Sequence, residues 1–179
     1  MGLQIAERKR KENISEYLIH MYQSEDLIRA YEFNISEIEK YVVSHLPLDD
    51  DEKTNTIKWY EGMIHSMESE NLKEKGHTQQ LDKLVKSLED LHQSLINKND
   101  AYTEIYEKAK SHLESFRSQA GDELISDIQL CLNAVYGLLI LRLNNRPIAD
   151  EQMESVDVFG ALLSYLSYIF RQQESLSEN

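Results

Sequence analysis

"ISEYLIHMYQSEDLIRAYEF", residues 14–33, decides the fold class. Ile14, Leu18, Met21 and Ile28 recur at steps of four, three and seven, which aligns them along one side of a helix. Between Met21 and Ile28 the same stripe holds Glu25, a carboxylate where an apolar side chain belongs. The pattern repeats outward in both directions. Apolar residues recur at three and four nearly everywhere, and no strand-length stretch alternates with a period of two. The expected fold is all-α, a single-domain antiparallel helical bundle of five or six helices.

The first helix is expected to run from about Leu3 to Glu32. A second opens at Asn34, an N-cap with Glu37 at capping-box spacing, and carries Ile35, Ile38, Tyr41, Val42 and Leu46 along one face. Pro47 and the acidic "LDDDE" at 48–52 close that helix and start the next, where carboxylates suit the positive N-terminal end. The third carries Ile57, Tyr60, Ile64, Met67 and Leu72 and is expected to stop near Gly76. Leu81, Leu84, Val85, Leu88, Leu91 and Leu95 define a fourth. "NKND" at 97–100 breaks or kinks it before Tyr102, Ile105, Tyr106, Ala109, Leu113 and Phe116 take up the stripe. Gly121 and Asp122 read as stop and start. The helix over 122–144 and the segment "VDVFGALLSYLSYIF" at 156–170 are apolar on most of their circumference, as in helices that are central or shared with a partner. Residues 1–179 are read as one domain, with 172–179 as a frayed polar tail.

Charge narrows the partners. Nineteen basic against 32 acidic residues leave a net charge of −13, which repels phosphate backbones and anionic membranes. Nucleic acid and membrane are therefore excluded as partners. The most apolar run, "IQLCLNAVYGLLILRL" at 128–143, is too short to span a bilayer and carries Gln129, Asn133 and Arg142. Cys131 is the single cysteine and has no disulfide partner within the chain. The opening "MGLQIAERKRKE" lacks a signal-peptide apolar core, and Ala6 stands where myristoylation requires Ser or Thr. A cytoplasmic location is expected.

Chemistry is harder to find. The six glycines lie far apart, so no phosphate-cradling loop forms. A di-metal centre in a helical bundle needs two Glu-x-x-His pairs, and only Glu89 with His92 provides one. Glu16/His20 and Glu61/His65 have four-residue spacing. His92 is read as a core or rim histidine with one hydrogen-bond partner. Cys131 sits among leucines with no neighbouring cation in sequence, the setting of an inert thiol. No catalytic residue, metal ligand or cofactor site is assigned.

One feature invites pairing. The stripe Leu124, Ile128, Leu132, Val135, Leu139 has its own intruder, Arg142. Burying one lone charge costs several kcal/mol, so an acid and a base that each interrupt an apolar face are expected to meet. Glu25 and Arg142 are the candidate buried ion pair, with Arg29 and His92 as further candidates for a polar pocket. The plainer alternative leaves Arg142 reaching solvent at its helix end and Glu25 at a stripe margin near Arg29.

"KRKENISEYLIHMYQSEDLIRA" at 9–30 and "NAVYGLLILRL" at 133–143, in a chain of this size, resemble an uncharacterised bacterial family of unknown function, found chiefly in Bacteroidetes. The resemblance implies a small cytoplasmic all-α protein and transfers no activity. The function expected is that of a non-enzymatic interaction or scaffold module, homodimeric through residues 122–171, with an unidentified protein partner. Its rival is a ligand-binding protein or enzyme with a polar pocket around Glu25 and Arg142.

Overall fold

The computed structural model describes residues 2–120 and 125–177. Among them are eight α-helices and one 3-10 turn, and no strand. The all-helical class holds; the expected count of five or six is too low. The described residues fall into two compact units, 2–12 with 16–83 and 13–15 with 84–177. No helix among the described residues is long and apolar enough to cross a membrane.

The first unit contains α1 (Leu3–Glu12), most of α2 (Ile14–Ala30), α3 (Ile35–Tyr41), a 3-10 turn at Val43–His45, α4 (Asp50–Ser69) and the start of α5 (Gln79–Leu95). Leu18, Ile28, Ile38, Tyr60, Met67 and Leu81 are sealed from solvent. Each such side chain contributes roughly 1.5–3 kcal/mol of burial. Helix starts follow the caps that the sequence shows. Asn34 accepts from the N–H groups of Ser36 and Glu37, and Asp49 forms a full capping box with Glu52.

The expected first helix is two. It breaks at Asn13, and residues 13–15 belong with the second unit. There the Ser15 N–H donates to Ser167 Oγ at 3.2 Å, and the two hydroxyls meet at 2.8 Å. Those bonds satisfy a helix-start donor that a continuous helix would have used internally. The α4 stop also differs from expectation, falling at Ser69 rather than near Gly76. Asn71 takes the left-handed conformation there (φ 58°), with Leu72 N bonded to Met67 O and Asn71 N to Glu68 O, a Schellman closure.

The same closure ends α2, but with Glu32 in the left-handed position (φ 51°). A residue with a Cβ is strained there by about 1 kcal/mol, and Glu32 is solvent-exposed. Glu32→Gly should therefore stabilise the protein by up to ~1 kcal/mol, read as a higher urea midpoint with unchanged slope.

The second unit holds the rest of α5 with α6 (Asp100–Ala120), α7 (Asp127–Leu143) and α8 (Asp150–Ser177). The break at "NKND" is real. Asn97 is left-handed (φ 62°), and Asn99 Oδ1 accepts the Tyr102 N–H at 2.9 Å to start α6. Helix α8 packs on both α6 and α7 around Phe159, Leu162 and Leu166, and remains helical to Ser177. Gly121, Asp122 and Leu124, with the start of the expected 122–144 helix, lie outside the described residues, as do 178 and 179 of the expected tail.

Candidate functional site

Glu25 is fully buried on α2, and its partners come from the loop before α5. One carboxylate oxygen accepts from His77 Nδ1 at 2.6 Å, the other from the Thr78 N–H at 3.0 Å. Tyr22, three residues earlier on α2, stacks its ring on His77 with 3.7 Å between centroids. One turn past Glu25, Arg29 donates Nε to Leu72 O at 3.1 Å and Nη2 to Gly76 O, with Nη1 on Asp26 at 2.8 Å. Glu70 accepts the Gln79 N–H at 2.7 Å.

The division of labour is chemical. A helix start leaves backbone N–H groups without partners, and the carboxylates of Glu25 and Glu70 take those of Thr78 and Gln79 as α5 begins. The guanidinium of Arg29 takes the loop's carbonyls instead. Gly76 sits at φ 92°, where a side chain would be strained. Glu25 and Arg29 together fasten the α4–α5 connection.

Arg142 is not the partner of Glu25. It is exposed near the end of α7, while both oxygens of the buried carboxylate are bonded to His77 and Thr78. The expected pair, and the polar pocket built around it, are corrected accordingly. An arginine at a helix C-terminus reaches water with its stem along the helix and suits the negative end of the dipole.

His92 belongs to a different cluster, in the second unit. It is sealed in the core, with Nδ1 2.5 Å from the Tyr102 hydroxyl and Nε2 3.6 Å from Asp127 Oδ2. Asp127 Oδ2 also accepts from the Tyr106 hydroxyl at 2.9 Å, and Oδ1 from Arg117. The His92 ring nitrogen, with Arg117 and Tyr106, holds the Asp127 carboxyl well below the usual carboxylate range. Burial pushes the Tyr106 hydroxyl up to about 12 and Tyr102 higher still. Asp127 opens α7 behind the Ser126 cap, so this network ties α5 and α6 to the α7 start. His92 and Tyr102 are fully buried, whereas Tyr106, Arg117 and Asp127 border a small surface depression of about 140 Å3.

Glu89, the expected companion of His92, instead faces the Ile128 N–H at 3.4 Å. Among the described residues no three of His, Cys, Asp and Glu gather as metal ligands. Burial raises the thiol of Cys131 far above its ordinary value, which keeps it protonated. His112 meets Ser155 at 2.8 Å, but the serine is buried and donates to the Glu151 carbonyl, so the pair links α6 to α8.

No pattern in the sequence marks His77 as part of the Glu25 cluster. A loop histidine carries no periodic signal, and the one clue was the stripe carboxylate itself, which needs a donor from somewhere.

These clusters define an all-helical protein whose buried polar groups fasten helix ends. The chain belongs to a family described as a domain of unknown function, DUF4924, whose model matches residues 3–176. Neither the curated proteins nor the solved structures gave a match.

Proposed function

We propose that the chain is a non-enzymatic helical interaction module that pairs with a second copy of itself through α7 and α8. The supporting observation is a groove of about 470 Å3 in the second unit, bordered by Phe116 of α6, Leu130, Leu138 and Leu141 of α7, and Val156 of α8. No charged residue lines it, although 28% of the chain is charged and the net charge is −13. Two copies can therefore meet there without bringing carboxylates together. The polar members of its lining, Gln119, Asn133 and Gln152, are amides that both donate and accept, so a two-fold contact can satisfy itself. Further along α7, Leu143 is 63% exposed. Such apolar surface is uncommon on a monomer when contiguous.

The bacterial cytoplasm, chiefly of Bacteroidetes, is the setting that the resemblance implies for this module. Its acidic surface disfavours nucleic acid and anionic membranes, which leaves protein as the partner class.

Sedimentation equilibrium at micromolar concentration should return about twice the chain mass. Gly137→Glu should return one chain mass with helicity intact. A Cβ at Gly137 meets nothing within 4 Å, so the variant folds while placing two carboxylates in the pairing surface. A monomeric wild type overturns the reading, as does a variant that still dimerises.

A further inference from the structure

A second groove, of about 460 Å3, lies in the first unit between α2 and α4. Its size falls within the range of small-molecule sites. Lys58, Gly62, Ser66 and Glu70 stand four residues apart along its wall, so it follows one face of α4 for three turns. Tyr17 and Met21 of α2 and Trp59 and Met63 of α4 add aromatic and thioether surface.

Gly62 is the telling residue. It sits inside α4, solvent-exposed, and a Cβ there would meet nothing within 4 Å. Glycine inside a helix is destabilising relative to alanine, and no packing within the chain requires it here. What the missing side chain does is leave the groove open.

The lining chemistry selects a cation. Aromatic faces attract ammonium groups, and thioethers accept flexible apolar bodies. Glu70 lines the groove with one oxygen committed to the Gln79 N–H, and the other has no partner among the described residues. Glu25 and Asp82 add negative charge at that end, opposed by His77. Burial raises the Asp82 carboxyl despite His77, and Glu25 and Glu70 push it in the same direction. Lys58 is the one cation in the lining; it is exposed and stands twelve residues from Glu70, about 18 Å along the helix.

We propose that this groove binds a small primary amine, with its ammonium on the uncommitted oxygen of Glu70 and its aromatic or alkyl body over Met63, Met21 and Trp59. Its lining shares no residue with the pairing surface, and the proposal does not rest on that pairing.

Trp59 is the only tryptophan in the chain and lines this groove, so its fluorescence reports on binding there. Titration of the full chain with phenethylamine at neutral pH should give a saturable change in the millimolar range or tighter. Phenethyl alcohol, the neutral counterpart, should bind at least about tenfold more weakly, and 3-phenylpropionate weaker still. Glu70→Gln keeps the acceptor for Gln79 and should erase the preference for amine over alcohol. Gly62→Leu fills the groove without touching the core and should abolish the signal while circular dichroism stays unchanged. The proposal is overturned by absence of a saturable response to phenethylamine, by equal or tighter binding of the alcohol or the carboxylate, or by undiminished binding in Gly62→Leu.

Discussion

Urea unfolding of Glu25→Ala should show a loss of about 3–5 kcal/mol, because truncating one member of a buried charged arrangement strands the others. The Thr78 N–H loses its acceptor and His77 loses the carboxylate that orients it. His77→Ala should cost less, about 1–3 kcal/mol, since its side chain is partly exposed and water replaces one bond. The double variant should cost clearly less than the sum, giving a coupling energy of about 1–2 kcal/mol. Arg142→Met should change stability by less than ~0.5 kcal/mol, as exposed positions generally do. Its effect should add to that of Glu25→Ala without coupling. Strong coupling of Glu25 to Arg142, or none to His77, would refute the loop-fastening role.

That experiment separates what the sequence could say from what it could not. Helical periodicity is a local property, so Leu81, Val85, Leu88 and Leu91 were legible as one buried face before any coordinates. So were the Asn34 cap and the break at 97–100, where turn residues act on their own neighbours. The break at Asn13 was not legible, because what divides α1 from α2 is a serine 152 positions away. The end of α4 was misread for a different reason. Glycine is the commoner left-handed residue, and Asn71 does the same work inside the stripe, four residues after Met67 and just before the Leu72 that prolongs it.

The intruding carboxylate shows the limit most clearly. Spacing on α2 puts Glu25 on the apolar stripe, buried or at its margin, and a buried carboxylate needs a donor; the structure buries it fully. Among side chains, an arginine on another apolar face was the visible choice. The structure satisfies it with an imidazole and a backbone N–H, and backbone donors exist at every residue without any mark in the sequence. Arg29, named for its proximity, proved to be part of the same fastening, though through carbonyls rather than the carboxylate.

The second large effect should appear as pH falls. His20 on α2 is 3% exposed, with Nε2 unpartnered and its ring facing Trp59. Burial lowers its pKa from 6.5 to about 4, the Lys9 charge adds to the shift, and a hydrogen bond with the Gly2 backbone opposes it. A histidine with a depressed folded pKa binds fewer protons folded than unfolded, so its contribution is fully present above pH 6.5. That contribution is lost progressively as pH falls from 6.5 toward 4, and no further below, where both states are protonated. The loss is about 3 kcal/mol at 1.36 kcal/mol per unit. Asp82 works in the opposite direction, since its raised carboxyl gains protons on folding as acid is added. Asp127 holds its proton affinity low, and its contribution fades only at more acidic pH. Both act equally in wild type and in His20→Gln, which cannot take a proton. The difference between the two proteins, measured by urea unfolding from pH 7.5 to 4, therefore isolates the histidine. Wild-type stability should fall more steeply than that of the variant between pH 6.5 and 4, and the gap should close by about 3 kcal/mol across that window. Parallel curves would mean that His20 titrates normally in the folded state and that its burial carries no charge penalty.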